Sequence, residues 1–322
     1  MNATSSGVLD RPSRGPFRAW SDAVDPHQSV SSDRPAAKWA EDDLIGPARR
    51  FPVQLGKWAV TGILGRGGYG VVYEAEEVAG AHRRAALKIL PKDAQGRPEA
   101  VARFFRESAA VARLDHAGIV KYYDFGKFGG RYFFTMELID GRDLHRVVRE
   151  EGVLPEQRAA HILAQVADAL GAIASLGFVH RDLKPENVVL QPGDRAKLID
   201  FGLVKIADTA SITARGDILG TPFFMAPEYI QTGEPPDIRA DVYGLGVIFH
   251  FLLTGRYPFE GKTPAEIFDK HLSDPAPAPS AKNPRVSDEG DRICRWLLEK
   301  SPANRPDSAS AAIVLRSLAR TW

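Results

Sequence analysis

The chain has 322 residues, which is longer than one ordinary domain and predicts two lobes or two domains. Its residues are 44% hydrophobic and 26% charged, as in a soluble globular protein, and its formal net charge of +1 gives no general attraction for nucleic acid. The single cysteine, Cys294, excludes an intramolecular disulfide and suits a reducing compartment. No apolar run approaches the roughly 20 residues of a membrane span and no signal-peptide core is visible, which predicts a cytoplasmic protein.

Residues 1–53 form a segment without a persistent apolar period. Prolines and charged residues are scattered through it, which predicts a disordered N-terminal arm. Its aromatic residues are unusual for a linker, so a short docked segment is the alternative: Phe17, Trp20 and Trp39. Beyond the arm, the range 54–322 changes to short β-forming runs and then to helical runs, which predicts a folded domain.

A glycine-rich stretch follows the first β-forming run. Gly65, Gly67 and Gly70 have the spacing G-x-G-x-x-G, and glycine lets backbone amides approach phosphate oxygens closely. Dinucleotide-binding folds share this spacing, but there the glycine loop opens a helix. Here it leads into Val71–Ala75, whose β-forming residues predict a strand. The sequence therefore predicts a glycine hairpin over a nucleotide.

The next predicted strand, Ala85–Ile89, is apolar except for Lys88. A lysine in a buried strand is costly unless it is paired, whereas a lysine on an edge strand would reach solvent. Its place after the glycine hairpin favours phosphate binding. The stretch 99–114 has apolar residues at helical spacing and contains Glu107, which is either the partner of Lys88 or an exposed helix carboxylate.

Four further elements are predicted, namely two strands, a helix and a hairpin. Strands are expected over 119–123 and 131–138, and a helix over 155–176 with a proline in its first turn. A hairpin is expected over 188–199, with a Pro-Gly-Asp turn at its tip. Asp200 follows the end of this hairpin directly.

The loop over 179–187, Val-His-Arg-Asp-Leu-Lys-Pro-Glu-Asn, places a carboxylate, a lysine and a carboxamide close together, and Asp200 begins the triplet Asp-Phe-Gly after the hairpin. Phosphoryl transfer needs this inventory, because the protein must supply cations, hold magnesium and orient an attacking hydroxyl. Asp182 can accept the hydroxyl proton and Lys184 can neutralise the moving phosphate. Asn187 and Asp200 can hold Mg²⁺ through oxygen ligands.

These motifs, in this order, resemble those of the eukaryotic-type Ser/Thr protein kinases of bacteria. The resemblance covers the chain from about residue 54, and Lys184-Pro185-Glu186 is similar to the Ser/Thr class rather than to tyrosine kinases. It implies an α+β, bilobal fold, with a small β-rich N-lobe and one main helix over about 54–138 and a larger helical C-lobe over about 139–322. The one mild departure is Ala-Ala-Leu-Lys in place of Val-Ala-Ile-Lys before and at Lys88, which keeps a buried apolar strand.

The resemblance also implies ATP as the nucleotide and Mg²⁺ as the metal, with Mn²⁺ as an alternative. It makes Asp182, Lys184, Lys88 and Glu107 the catalytic set, and Asn187 and Asp200 the metal ligands. The nucleotide would contact the glycine hairpin, the lysine strand, the hinge and the catalytic hairpin: Leu64, Gly65, Arg66, Gly67, Gly68, Tyr69, Gly70, Val72, Ala86, Lys88, Met136, Glu137, Leu138 and Val189. Met136 would lie at the back of this pocket, and the interpretation that its side chain fills the apolar core is compatible with that position.

Residues 203–219 resemble an activation segment, and three hydroxyl residues in it are candidate phosphosites: Thr209, Ser211 and Thr213. A phosphate there would bind Arg181 and order the segment, whereas the alternative is that they are ordinary loop residues. The resemblance further implies two structural supports. Glu228 would pair with Arg305, and Asp241 would brace the backbone of the catalytic loop.

The expected function is transfer of the ATP γ-phosphoryl group to Ser or Thr hydroxyls of protein substrates, with autophosphorylation on the activation segment. Nucleic acid is not an expected partner. Two other classes share parts of the pattern. A pseudokinase scaffold usually lacks one of the metal or lysine groups, and none is missing here. A small-molecule phosphotransferase usually lacks the Ala226-Pro227-Glu228 segment and the Lys-Pro-Glu sequence.

Overall fold

The computed structural model describes residues 51–67, 70–90, 98–128, 131–200, 222–234 and 236–320. Except for its last three positions, the arm expected over 1–53 lies outside the described residues, and so does the activation segment expected over 203–219. The ordered sheet begins at Val53, one residue before the predicted start of the folded domain. In the described part of the chain, no helix is both long and apolar enough to cross a membrane.

An antiparallel sheet of six strands forms the N-lobe, in the order β1-β2-β3-β4-β6-β5. The helix α1 packs apolar side chains, among them Val101 and Phe105, into the larger of the two apolar clusters that the described residues form. The strands and this helix are β1 (Val53–Leu55), β2 (Trp58–Gly67), β3 (Gly70–Glu77), β4 (Arg84–Ile89), α1 (Pro98–Val111), β5 (Tyr122–Phe128) and β6 (Arg131–Glu137).

The sheet curls until its first strands meet its last one. Trp58 of β2 donates its indole hydrogen to Asp124 of β5 at 3.3 Å, and its ring stacks on Tyr123 with a centroid distance of 6.4 Å. Four strand spacings separate β2 from β5 in the sheet order, or about 19 Å if the sheet were flat. The curl encloses a second apolar cluster: Leu55, Trp58, Val60, Tyr73, Ala75, Ala85, Leu87, Ile89 and Phe133.

Helices and a small sheet form the C-lobe, as the resemblance implied. The helix α5 is its centre, because every residue from Asp241 to Leu253 is buried, as expected for a helix that is apolar on all sides. The elements are β7 (Arg142–Asp143), α2 (Leu144–Glu151), α3 (Glu156–Ala174), β8 (Val188–Gln191), β9 (Arg195–Leu198), α4 (Pro227–Thr232), α5 (Ile238–Thr254), α6 (Pro264–Ser273), α7 (Asp288–Leu297) and α8 (Ser308–Ala319).

One predicted strand is misplaced. The strand expected over 119–123 begins only at Tyr122, and Ile119 makes a single bridge to Leu198. The reason is that this stretch hydrogen-bonds to the C-lobe: Val120 N donates to the carbonyl of Leu198 at 2.9 Å, and Leu198 N donates to Gly118 at 2.8 Å. An apolar run indicates a strand but does not reveal its partner. The stretch is therefore a link between the lobes.

Candidate active site

The glycine motif lies on a hairpin, as predicted. β2 and β3 are antiparallel with Gly65 opposite Val72 and Gly67 opposite Gly70, and Gly68 and Tyr69 between them lie outside the described residues. Because a strand rather than a helix follows Gly70, the dinucleotide-binding alternative is excluded. A methyl group added to Gly65 would meet no atom within 4 Å, so packing does not require glycine there.

Among the N-lobe strand residues whose burial the structure describes, Lys88 is the one charged side chain that is buried. It lies on β4 between Val72 of β3 and Phe134 of β6, and only 7% of its surface is exposed. Its ammonium donates to Oδ2 of Asp200 at 2.6 Å, so an ion pair joins the N-lobe sheet to the end of the C-lobe hairpin. This pair supplies the partner that a buried lysine needs.

Glu107 lies half-buried on α1. The ion pairs of the described residues join Lys88 to Asp200 and include none between Lys88 and Glu107. The contact in this structure is therefore Lys88–Asp200, and the Lys88–Glu107 pair stays a prediction for the active state of the kinase. Since the Asp200 carboxylate already neutralises the ammonium, the folded state described here does not need a second carboxylate.

The other predicted nucleotide contacts come from four strands. Met136 on β6 is buried and lies opposite Ala86 on β4, and Val72 of β3 packs against the same apolar cluster. Leu138 follows β6 and is half-buried, and Val189 lies on β8 of the C-lobe hairpin. These residues therefore lie on the N-lobe strands beside Lys88 and on the C-lobe hairpin that ends next to Asp200, and the Lys88–Asp200 ion pair joins these two parts.

The catalytic-loop residues are mutually bonded. Lys184 Nζ donates to Asp182 Oδ2 at 2.8 Å, and the Asn187 amide donates to the same oxygen at 2.9 Å and to the Asp182 carbonyl at 2.7 Å. Asn187 ends the short 3₁₀ turn Pro185–Asn187, which brings its side chain back towards the aspartate. Asp182 is therefore oriented by two neighbours within five residues of it in sequence.

Asp241 holds the backbone of this loop from below. Its two carboxylate oxygens accept from His180 N at 2.7 Å and from Arg181 N at 2.9 Å, and Arg181 has a φ of 66°. Burial raises the pKa of Asp241 to about 7, although the two backbone bonds act in the opposite direction. His180 is buried as well, and burial lowers its pKa to about 4, so the ring is neutral and structural rather than a base.

The donor set fits a magnesium ion. Oδ1 of Asp200 is buried and has no hydrogen-bond partner among the described residues, and such an oxygen calls for a cation or a donor. The amide nitrogen of Asn187 is used by Asp182, which leaves its oxygen available as a ligand. Among the residues that the structure describes, no cluster of three or more His, Cys, Asp or Glu side chains is placed to hold a metal. Two protein ligands suit Mg²⁺, which usually completes its shell with water and substrate phosphates.

Arg305 and Glu228 form a two-pronged ion pair. The guanidinium donates to both oxygens of Glu228 at 2.7 and 2.8 Å. It also donates to the carbonyls of Glu299, Arg239 and Lys300, so its hydrogen bonds join the start of α4 to the loop before α8. A planar guanidinium suits this arrangement because its donors lie in a fixed fork.

Two contacts near the site were not predicted. The carboxylate of Glu137 accepts a hydrogen bond from Lys197 of β9 and, at 3.4 Å, one from the backbone of Lys121. The hydroxyl of Tyr243 lies 2.7 Å from Nδ1 of His271. Neither contact leaves a signal in the sequence, because each joins elements far apart in the chain. The phosphosite candidates Thr209, Ser211 and Thr213 lie outside the described residues.

Comparisons with known proteins agree with this arrangement. The family described as protein kinase domain matches residues 58–315. The serine/threonine-protein kinase pkn3 of Myxococcus xanthus is 37% identical over 281 residues, which cover 84% of this chain and 50% of that protein. PknD of Mycobacterium tuberculosis is 38% identical over 257 residues, which cover 80% of this chain and 38% of PknD. The chain thus spans half or less of the length of these two curated relatives.

Solved structures show the same fold. The crystal structure of the Mycobacterium tuberculosis PknI kinase domain has a TM-score of 0.68 and 29% identity, and the match covers 84% of this chain and all of that one. Rad53 in complex with AMP-PNP has a TM-score of 0.67 and 27% identity, over 80% of this chain and 64% of that one. With the family match over most of its length, the chain belongs to the protein kinase family, next to the eukaryotic-type Ser/Thr kinases of bacteria.

Proposed function

We propose that this protein is a Ser/Thr protein kinase that transfers the γ-phosphoryl group of ATP to protein Ser and Thr hydroxyls and modifies its own activation segment. One observation carries the proposal: Asp182, Lys184 and Asn187 are bonded together on one loop, while Lys88 and Asp200 meet across the lobes. A scaffold has no need of this complete set. The relatives are named as Ser/Thr kinases, and the similar Rad53 structure is a complex with an ATP analogue.

Each residue has a chemical part in the proposed reaction. Bound Mg²⁺-ATP supplies the phosphoryl group and a metal charge that offsets the phosphate oxygens. Lys88 binds the α- and β-phosphates, and Asn187 and Asp200 hold the metal. Asp182 orients the attacking hydroxyl and accepts its proton, and Lys184 neutralises charge on the transferred group.

The acceptor side is proposed from two features near the catalytic loop. Glu186 is exposed directly after Lys184 and Pro185, and its carboxylate favours a basic residue before the acceptor hydroxyl. The half-exposed rings of Phe223 and Phe224 favour an apolar residue after it. Mn²⁺ is an alternative metal, because the same oxygen ligands accept it.

The test is incubation of the purified protein with Mg²⁺-ATP, followed by mapping of phosphorylated residues. We expect phosphate on Thr209, Ser211 or Thr213 in the wild type and not in Asp182→Asn, whose rate should fall at least about 100-fold, the usual contribution of a positioned base. Lys88→Met should be equally deficient.

Asp269→Asn is the matched control, because that carboxylate is exposed on α6 and its loss should leave the rate unchanged. Near wild-type turnover in Asp182→Asn or Lys88→Met would contradict the assigned roles. Nucleotide binding without any phosphate incorporation in the wild type would favour a scaffold.

A further inference from the structure

The chain crosses from the N-lobe to the C-lobe directly after Glu137. This residue ends β6, and only residues 138–141 separate it from β7, a strand of the C-lobe sheet. Its carboxylate accepts a hydrogen bond from the ammonium group of Lys197 on β9, so an ion pair ties the crossing point to the C-lobe hairpin. Lys197 is not among the residues that act on phosphate, metal or acceptor in the proposed reaction.

The ion pair is largely shielded from water. The side chains of Lys197 and Glu137 keep 15% and 27% of their surface exposed. Salt screens a partly buried pair less than an exposed one, and the loss of either partner leaves the other charge without its counterion. Removal of one charge should therefore have a measurable effect on whatever the pair holds in place.

Backbone hydrogen bonds join the same parts of the chain. Glu137 N donates to the carbonyl of Lys121 at 2.8 Å, and Lys121 N donates to the Glu137 carboxylate at 3.4 Å. On the other side of this link, Val120 N donates to the carbonyl of Leu198 at 2.9 Å, and Leu198 N donates to Gly118 at 2.8 Å. The link therefore lies between the end of β6 and β9, and the ion pair connects these two strands directly.

Lys197 has neighbours that the proposed function assigns to the nucleotide and the metal. It lies opposite Val189 on β8, and residues directly opposite each other in an antiparallel pair share one face of the sheet. Val189 and Glu137 are both predicted nucleotide contacts, and Asp200, the proposed metal ligand, follows Lys197 by three residues. One nucleotide must meet all of these groups at a fixed spacing. A site that already has this spacing binds more tightly, because less order has to be imposed on binding.

We propose that Lys197 is a positioning residue for ATP. Its ion pair with Glu137 holds the end of β6 against β9, and so fixes the distance between the nucleotide contacts at that end and the metal ligand Asp200. Lys197 acts through Glu137, because its ammonium group is bonded to that carboxylate. The inference rests on the proposed function, since it concerns the nucleotide that the same reaction uses.

Three variants of β9 test the proposal by titration calorimetry with ADP and Mg²⁺. Lys197→Met removes the charge but keeps an apolar stem, and we expect it to weaken ADP binding about three- to tenfold, as for other contacts that couple to a site without touching its ligand. Lys197→Arg keeps the cation and should stay within about twofold of wild type. Arg195→Met is the matched control, because Arg195 is exposed, lies on the same strand and points to the same face. It should also stay within about twofold.

The partner residue gives an independent check. Glu137→Gln removes the negative charge from the other end of the pair and should weaken ADP binding by a similar factor. Because the pair is already broken in each single variant, the double variant should bind ADP at most about twofold more weakly than the weaker single variant. Losses that multiply in the double variant would mean that the two residues act separately, which would overturn the proposal. If Lys197→Met does not fold, wild-type ADP affinity in Glu137→Gln overturns it alone.

Two further measurements distinguish positioning from a purely structural role. In Lys197→Met the KM for ATP should rise with the Kd for ADP, while kcat at saturating ATP stays within about twofold, because Lys197 touches no reacting atom. Hydrogen exchange of the Val120, Glu137 and Leu198 amides, measured without nucleotide, should be faster in Lys197→Met than in Lys197→Arg. Identical exchange in these two variants would contradict the proposal.

The ADP titrations decide the outcome. An affinity of Lys197→Met within about twofold of wild type would overturn the proposal, whatever happens to its thermal stability. An equal loss of affinity in Arg195→Met would overturn it as well, because any charge removed from β9 would then have the same effect. A wild type that binds ADP but transfers no phosphate refutes the proposed function instead, and the titrations still decide the role of Lys197.

Discussion

At the scale of single residues, the site depends on carboxylates whose surroundings differ. Asp200 has one oxygen on Lys88 and one buried without a partner among the described residues, whereas Asp241 has both oxygens on backbone amides. The first arrangement leaves a ligand for a cation, and the second leaves none. Residue type alone predicts both as acids, and the motif resemblance gave Asp200 the role of a metal ligand and Asp241 the role of a brace. Their different partners in the structure suit these two proposed roles.

Asp241 leads to a pH prediction. Burial raises its pKa to about 7 in the folded protein, above the usual Asp value of about 3.9 in the unfolded chain. Between these values the folded state holds a proton that the unfolded state has lost, so the contribution of this carboxyl to stability falls as the pH rises from about 4 to about 7 and is constant above. Asp241→Asn removes the titration. The unfolding free energy of Asp241→Asn should therefore rise relative to that of the wild type as the pH increases from about 4 to about 7.

Urea unfolding of both proteins at several pH values between about 5 and about 8 measures the difference. Asp269→Asn, on the exposed side of α6, should show no such pH-dependent difference from wild type. A wild-type-minus-variant difference that is flat with pH would mean that Asp241 is ionised throughout, and that its backbone bonds outweigh its burial.

At the scale of elements, the glycine hairpin contains positions where packing does not require glycine but nucleotide binding does, according to the proposal. Neither Gly65 nor Gly62 on β2 has a positive φ, and an added methyl group would meet nothing within 4 Å at Gly65 and only Glu74 at 4.0 Å at Gly62. Gly65→Ala should therefore fold as well as wild type but bind ATP more weakly, since the methyl group stands where phosphate oxygens approach. Gly62→Ala, outside the motif, should change neither property.

Titration with ATP and thermal unfolding of the two alanine variants check this prediction. Equal ATP affinity in both would show that the backbone near Gly65 does not approach the nucleotide. A clear loss of thermal stability in Gly65→Ala would show instead that the open space at this position is filled in solution.

The elements also show how far the sequence can be interpreted. Period and turn residues located the hairpin ending at Asp200 and the helix over 155–176 to within two residues at each end. The partner of Lys88 and the true start of β5 were not predictable, because each depends on a contact between the lobes. The local sequence pattern predicts which face of a helix or strand is apolar, but it does not predict which other element that face contacts.

At the scale of the whole molecule, two ion pairs of the described residues, Lys88–Asp200 and Lys197–Glu137, and one short link span the two lobes beside the proposed nucleotide site. Lys88 reaches Asp200, and the stretch 118–120 is hydrogen-bonded to Leu198 of β9. Asp200 lies two residues after that strand, so the proposed metal ligand is next to the contacts that join the two lobes. The chain length and the motif resemblance predicted two lobes, but neither could show that β9 is the strand that joins them.

This arrangement predicts that nucleotide and metal stabilise the protein jointly. A ligand that binds only the folded state raises its stability by about 2.7 kcal/mol at a hundred times its Kd. ADP with Mg²⁺ should therefore raise the midpoint of thermal unfolding more than ADP with EDTA, because Asp200 and Asn187 would hold the metal and its charge would offset that of the phosphates. In Asp200→Asn this additional shift should disappear, and the starting midpoint should also fall because Lys88 loses its buried partner. Asp269→Asn should keep the wild-type difference between Mg²⁺ and EDTA. A full Mg²⁺-dependent shift in Asp200→Asn would place the metal on other residues and break the link between the lobe junction and the chemistry.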